Sequence, residues 1–205
     1  MKRTAFVFAF LMMLPVASLC QAQVEDAEQQ NAPVTLEAFR QIGAACAPGI
    51  PLVTLRAIAR AESAFHPYAL SLNYPRRTAS EHGLGTGGIT LARQPRTRGE
   101  ALAWTRYLLK RGRSVSVGLM QINTEHAANL RLTVDQLFDP CTNVRVGARL
   151  LTARYQAAAA IEGEGQQALQ QALSEYNSGS AVIGVANGYV TNVINGELYR
   201  RQPSQ

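Results

Sequence analysis

The stretch LVTLRAIARAES, residues 52–63, constrains this chain more than any other. Pro51 stands at its opening turn, and its apolar residues recur at helical spacing. Leu55, Ile58 and Ala59 precede Glu62 by seven, four and three residues, so all four side chains share one face. That face turns inward to bury its leucine and isoleucine, and it carries a carboxylate with it. Burying an unpartnered carboxylate is costly. Two readings stand here: an acid paired with an arginine or a helix end, or an acid held for chemistry.

Most of the remaining chain reads as helix. Helical patterning dominates from Leu36 onward. Thr97 and Glu100 form a capping box before a helix whose buried stripe is Ala101, Trp104, Thr105 and Leu108, stopped by Gly112. Arg106, Lys110 and Arg111 on its other faces are a solvated surface or a hold on an acidic polymer. Further helices are expected at 133–139, 142–160 and 166–177, separated by Pro140 and by EGEG at 162–165. A last one starts near Asn187 and covers GYVTNVI. SVSVGLMQIN, 114–123, alternates and then turns at Gly118. Residues 70–96 break the helical pattern, with HGLGTGG as a surface loop and ITLARQP as a short strand. The loop lacks the Lys-Ser/Thr ending and the strand–loop–helix setting of a phosphate cradle.

The N-terminus reads as an export signal. Lys2 and Arg3 precede an apolar run from Ala5 to Leu19, and Cys20-Gln21-Ala22 suits cleavage after Ala22. The run is short for a membrane span, so no stable span is expected once it is removed. A lipid-bearing Cys20 is disfavoured because Leu19 stands where a small residue is needed. The organisation is then a signal at 1–22, a polar lead-in at 23–40, one domain at 41–198 and a tail at 199–205. Cleavage leaves Cys46 and Cys141. In an oxidising compartment such a pair is expected to be joined, two buried thiols being the alternative.

The net charge of +6 has both signs interspersed and does not single out nucleic acid. His66, His82 and His126 form no metal-ligand motif, and no Gly-x-Ser-x-Gly elbow is present. No metal or cofactor is expected. A second inward polar residue appears in ALSEYNSG, 172–179. Leu169, Ala172 and Leu173 share a face with Tyr176. A buried phenol needs a partner, and a carboxylate is a good one; a satisfied core tyrosine is the alternative. GLMQIN, 118–123, sets a flexible glycine and an apolar pair beside the amide of Gln121.

Taken in order, AESAFHPYA, GLMQIN, ALSEYNSG and GYVTNV closely resemble the lytic transglycosylases of the SLT type, from about Ala44 to Ile194. CAPGIPLVTLRAIARAES and LFDPCTNVRVGARLL resemble the subgroup attached to conjugation and type IV secretion machines. In that subgroup Cys46 and Cys141 are recurrent positions, which favours the bridge. The resemblance implies a mainly α, lysozyme-like domain with a loop and short β insertion at 70–113, and a periplasmic location. It implies a substrate, the peptidoglycan glycan strand, and secretion or conjugation components as partners. It implies one catalytic carboxylate, Glu62, which gives a proton to the glycosidic oxygen and later takes one from the C6 hydroxyl. An apolar pocket would raise the pKa of such an acid, the tactic of the lysozyme glutamate. Ser63 would position Glu62 or the N-acetyl group. Gln121 and the Gly118 and Met120 backbone would line the sugar groove. Tyr176 would hydrogen-bond near the reacting centre and hold Glu62 or the N-acetyl group. Asn177 would support the local turn or touch substrate, and Tyr189 would bind sugar or pack under Glu62.

Two departures from the family pattern matter. The insertion between Glu62 and Gly118 is long and is expected to wall or cover the groove. Glu175 replaces the small residue usual before the Tyr-Asn pair; it lies one position off the buried stripe and is expected to face solvent. Facing the groove, it would supply a second carboxylate and open a hydrolytic route. A hydrolytic muramidase and a non-catalytic glycan-binding assembly factor are the competing readings.

Overall fold

The computed structural model describes residues 32–73 and 89–198. The expected signal at 1–22, residues 23–31 of the lead-in, the HGLGTGG loop and the 199–205 tail lie outside them.

Helix α1, Leu36–Cys46, starts where Thr35 accepts a hydrogen bond from the Ala38 amide, with Glu37 in the first turn. Phe39 of α1 is in the core, so packed structure begins ahead of residue 41. Helix α2, Leu52–Ser63, follows Pro51 and buries Leu55, Ala57, Ile58 and Ala59. Strand β1, Leu70–Asn73, comes next, inside the stretch where only loop and a later strand are expected from the pattern. Its four residues are too few for periodicity to declare. Strand β2, Ile89–Thr90, falls within the expected ITLARQP strand.

Helix α3, Arg98–Leu109, is capped by Thr97 Oγ1, which accepts from the Glu100 amide at 3.1 Å. Glu100 Oε2 reaches back to the amide of Arg96, at 2.8 Å. Trp104 corrects the expected stripe: it is 43% exposed, while Ala101, Thr105 and Leu108 are buried. It sits on the flank of that stripe and meets the equally exposed Tyr107 edge-on, with ring centroids 5.7 Å apart.

Strand β3, Ser114–Val117, turns through Gly118 into β4, Ile122–Asn123. The strands form one antiparallel sheet in the order β2-β1-β3-β4. Register places Ser71 opposite Ser116, Asn73 opposite Ser114, and Ser116 opposite Asn123. Residues directly opposite share a face. One face therefore carries Leu70, Leu72, Val115, Val117 and Ile122 against the core, and the other is a strip of hydroxyls and amides.

Helix α4, Thr124–Asn129, is a short turn that the sequence pattern does not announce; Ala127 packs into the core. The helix expected at 133–139 is reduced to a 3-10 turn, Gln136–Phe138. Helix α5, Pro140–Glu162, starts on Pro140 itself, with Asp139 accepting from the Thr142 amide at 2.8 Å. Helix α6, Gln166–Ser178, ends on left-handed Gly179. The short α7, Ile183–Ala186, and α8, Tyr189–Leu198, close the domain. Cys46 at the end of α1 is bonded to Cys141 at the start of α5, across 95 residues. On chain entropy alone a closure of that length contributes roughly 4 kcal/mol.

Candidate active site

Glu62 lies in the last turn of α2, at the edge of the core. The chain behind it is held in an unusual bend. Ala64 and Phe65 both have positive φ, 50° and 67°, a conformation that costs a residue with a Cβ roughly 1–2 kcal/mol. Packing offsets that strain. The Phe65 ring meets Phe39 edge-on at 5.2 Å, and its carbonyl accepts from the Val34 amide at 2.9 Å. Ser63 Oγ lies 3.0 Å from the Ala59 carbonyl and 2.8 Å from the Leu119 carbonyl. Its single proton is divided between them, so this hydroxyl ties α2 to the turn after β3 and has none to offer a ligand.

Tyr189, the first residue of α8, donates its phenolic proton to Glu62 Oε1 at 2.6 Å. Burial pushes the Glu62 carboxyl up from 4.5 to about 7, and the Tyr189 hydrogen bond pulls the other way. Tyr189 itself is held far above the ordinary phenol range, first by burial and then by the charge of Glu62, so it stays a donor. Since Oε1 accepts from Tyr189, the acid proton of Glu62 belongs on Oε2, which has no protein partner among the described residues. Asn187 positions Tyr189: its Oδ1 accepts from the Tyr189 amide at 3.0 Å, and its Nδ2 donates to Asn177 Oδ1 at 3.0 Å.

Glu62 opens on a cleft of about 430 Å³. Gln121, Tyr176 and Asn177 line it too; Ser63, Gly118, Met120 and Tyr189 are not among its lining residues. The polar strip of the sheet, from Ser71 and Asn73 to Ser114, Ser116 and Asn123, forms one side. Its members bond one another, Asn73 Nδ2 and Asn123 Nδ2 both donating to Ser114 Oγ at 3.2 and 3.0 Å. Among the described residues of the insertion, those on the cleft wall are Ser71 and Asn73 of β1.

Tyr176 is half-buried against the core, and its hydroxyl donates to the Met120 carbonyl at 2.8 Å and not to Glu62. Burial and the neighbouring Glu62 charge raise its pKa well above the phenol range. Both donors of the Gln121 amide are committed: Nε2 donates to the Ala69 and Gly118 carbonyls, each at 3.0 Å, and Oε1 accepts from Ser71 Oγ at 2.7 Å. Gly118 is required where it stands. Its φ is +79°, and a Cβ there would lie 2.3 Å from Asn143 Nδ2.

Asn143 and Gly147 of α5 were missed by motif reasoning. Asn143 Oδ1 accepts from the Met120 amide at 2.7 Å, and Nδ2 donates to the Val117 and Leu137 carbonyls at 2.9 and 2.7 Å. A Cβ on Gly147 would come 2.9 Å from Met120 Cβ and 3.0 Å from the Tyr176 hydroxyl, so this glycine lets the turn and the phenol meet. The signal was available: Asn143 and Gly147 sit one turn apart on the apolar face of VRVGARLL, the same oddity that exposed Glu62. Glu175 corrects its expected orientation. It is half-buried on the cleft wall, and its Oε1 accepts from Gln171 Nε2 at 3.1 Å. The wall of a groove lies beside the buried face of a helix, not opposite it, so a residue one position off the stripe faces the cleft.

Among the described residues no group of His, Cys, Asp and Glu is placed to hold a metal ion, and no helix is long and apolar enough to cross a membrane. Fold and site together define a mainly helical domain that holds an acid at the edge of its core, above a polar cleft. The transglycosylase SLT domain family model matches residues 40–195, and the chain belongs to that family, with its lysozyme-like fold. It is 37% identical to Protein virB1 of Agrobacterium fabrum over 162 residues, 79% of this chain and 60% of that protein. It is 32% identical to the type IV secretion system protein virB1 of Brucella suis over 143 residues, 69% of this chain and 54% of that protein. The chain thus spans between half and two thirds of the relatives it matches. Both names agree with the subgroup that the motifs resemble. No solved structure matches the chain.

Proposed function

We propose that this protein is a periplasmic lytic transglycosylase that cuts peptidoglycan glycan strands for a type IV secretion or conjugation apparatus. The observation that carries the reading is the Glu62 carboxyl, neutral by burial up to about pH 7, bonded on one oxygen to Tyr189 and open on a polar cleft. The family and the virB1 names supply the substrate class and the apparatus.

That geometry supports the following chemistry. Glu62 Oε2–H protonates the oxygen of the β-1,4 bond as the muramyl C1–O bond breaks, and the N-acetylglucosamine end leaves as an alcohol. The muramyl N-acetyl carbonyl oxygen bonds to C1 and stabilises the cation. Glu62, now a carboxylate, keeps the Tyr189 hydrogen bond, which strengthens as charge appears. It then takes the C6 hydroxyl proton while that oxygen bonds to C1 and displaces the N-acetyl oxygen. The product is a 1,6-anhydro end, Glu62 is protonated again, and no water is consumed.

Glu175 on the cleft wall favours a second reading, hydrolysis assisted by a second carboxylate. Mass spectrometry of digested sacculi separates the two. Anhydro ends are expected; reducing ends alone would sink the transglycosylase reading in favour of the hydrolytic one.

The Tyr189 bond favours the ionised form of Glu62, so its loss raises the pKa further. In the wild type, kcat/KM is expected to fall on an alkaline limb near pH 7. Tyr189→Phe moves that limb upward and lowers kcat by about tenfold or more, because the anion of the second step loses its donor. A limb that stays put or moves down would show that Tyr189 does not act on Glu62.

A further inference from the structure

The cleft beside Glu62 contains charges that the mechanism above does not use. Arg154 of α5 lines it, as do Glu125 of α4, Glu175 of α6 and the imidazole of His126. Among the described residues, none of these charged groups forms an ion pair. Arg154 is half-buried and makes one hydrogen bond, from Nη1 to the Leu150 carbonyl on its own helix at 3.2 Å. Most of its N–H donors therefore have no protein acceptor. Its guanidinium carbon lies 6.0 Å from the centroid of the Tyr176 ring, the ring that also feels the charge of Glu62. Burial and then Arg154 lower the pKa of His126, and the Glu125 charge works against them.

A guanidinium with a planar fork of free donors, partly shielded from water, is built to take a carboxylate. Along a peptidoglycan strand the anionic groups nearest the scissile bond hang from the lactyl arm of the muramyl residue. They are the lactyl carboxylate itself, where the arm is bare, or the carboxylates of the stem peptide, where it is substituted. We propose that Arg154 binds a carboxylate borne on the muramyl lactyl arm, and so selects muramyl-containing strands and fixes their register over Glu62. This rests on the reading of the cleft as a glycan-strand site.

The test compares the mature wild-type protein with Arg154→Gln and Arg154→Lys on four substrates. These are peptidoglycan with intact stems, the same material with its carboxylates converted to amides, amidase-stripped strands bearing only lactyl carboxylates, and their amidated form. The readout is the ratio of kcat/KM on each native substrate to that on its amidated partner, which cancels any general loss of activity. The wild-type ratio is expected to be about tenfold, carried by KM. Arg154→Gln brings it close to one, and Arg154→Lys restores part of it. A preference on stem-bearing material alone assigns the stem carboxylate; a preference on stripped strands as well assigns the lactyl carboxylate. A wild-type ratio near one on both materials, or a Gln variant that keeps the wild-type ratio, overturns the proposal. A wild type that releases no product from any of the four would instead overturn the reading of the cleft on which the proposal rests.

Discussion

Glu62→Gln is expected to lower kcat/KM on peptidoglycan by about a thousandfold, the contribution of a positioned acid that also serves as base. The amide fills the same space but cannot give up a proton, so no change of pH restores the rate. The same substitution is expected to stabilise the fold in alkaline solution. The folded pKa of Glu62, about 7, lies above its unfolded value of 4.5, so the native state holds the proton more tightly than the unfolded chain. The stability this gives is complete below about pH 4 and is lost as pH rises through 7. Glutamine stays neutral throughout. Above pH 8 the variant should therefore be more stable than the wild type by up to about 3 kcal/mol, and near pH 4 the two should match. Urea unfolding at the two pH values measures the difference. Equal stability at both would mean that the Glu62 carboxylate is well solvated, and the neutral acid of the mechanism would lose its support.

Asn143→Ala is expected to cost roughly 3–5 kcal/mol in urea unfolding, more than a single polar contact would suggest. The residue is 1% exposed. Removing its amide leaves the Met120 amide without its side-chain acceptor and takes a buried donor from the Val117 and Leu137 carbonyls. The turn from Gly118 to Gln121 also carries the Met120 carbonyl that receives Tyr176, so activity should fall alongside stability. Asn143→Asp preserves the size and one acceptor, but a carboxylate cannot donate to two carbonyls; it should be no better than alanine. A loss below about 1 kcal/mol in both variants would show that water replaces the amide and that the turn holds itself.

Both experiments turn on polar groups at inward positions, and such groups differ in how visible they are before folding. Glu62 stood out because three apolar residues of its own helix define the face it shares, and that relation is local. The caps at Thr97 and Asp139, the glycine stops and the alternation in SVSV are local in the same sense. Family motifs extended this to Gln121, Tyr176 and Tyr189, but not to what those side chains touch. For Tyr176 a carboxylate partner and a satisfied core position both stood open, and its hydroxyl serves a backbone carbonyl, while Tyr189 holds Glu62 from 127 residues away. Trp104 and Glu175 depart from their expected positions for a related reason. Each lies on the edge of a helical stripe, where spacing does not say whether the neighbour is core, cleft or water.

Short-range chemistry was therefore enough to settle where most helices run and which carboxylate is turned inward. Periodicity and capping act between residues a turn apart, and they survive in any fold the chain adopts. Packing alone decided that the β1 and β3 serines form a cleft wall, that Asn143 locks the Gly118 turn, and that Arg154 stands beside Tyr176 with no counter-ion among the described residues. Those pairings join residues separated by tens of positions. Their energies depend on burial and on the direction of hydrogen bonds, neither of which exists until the helices and the sheet have closed around Glu62.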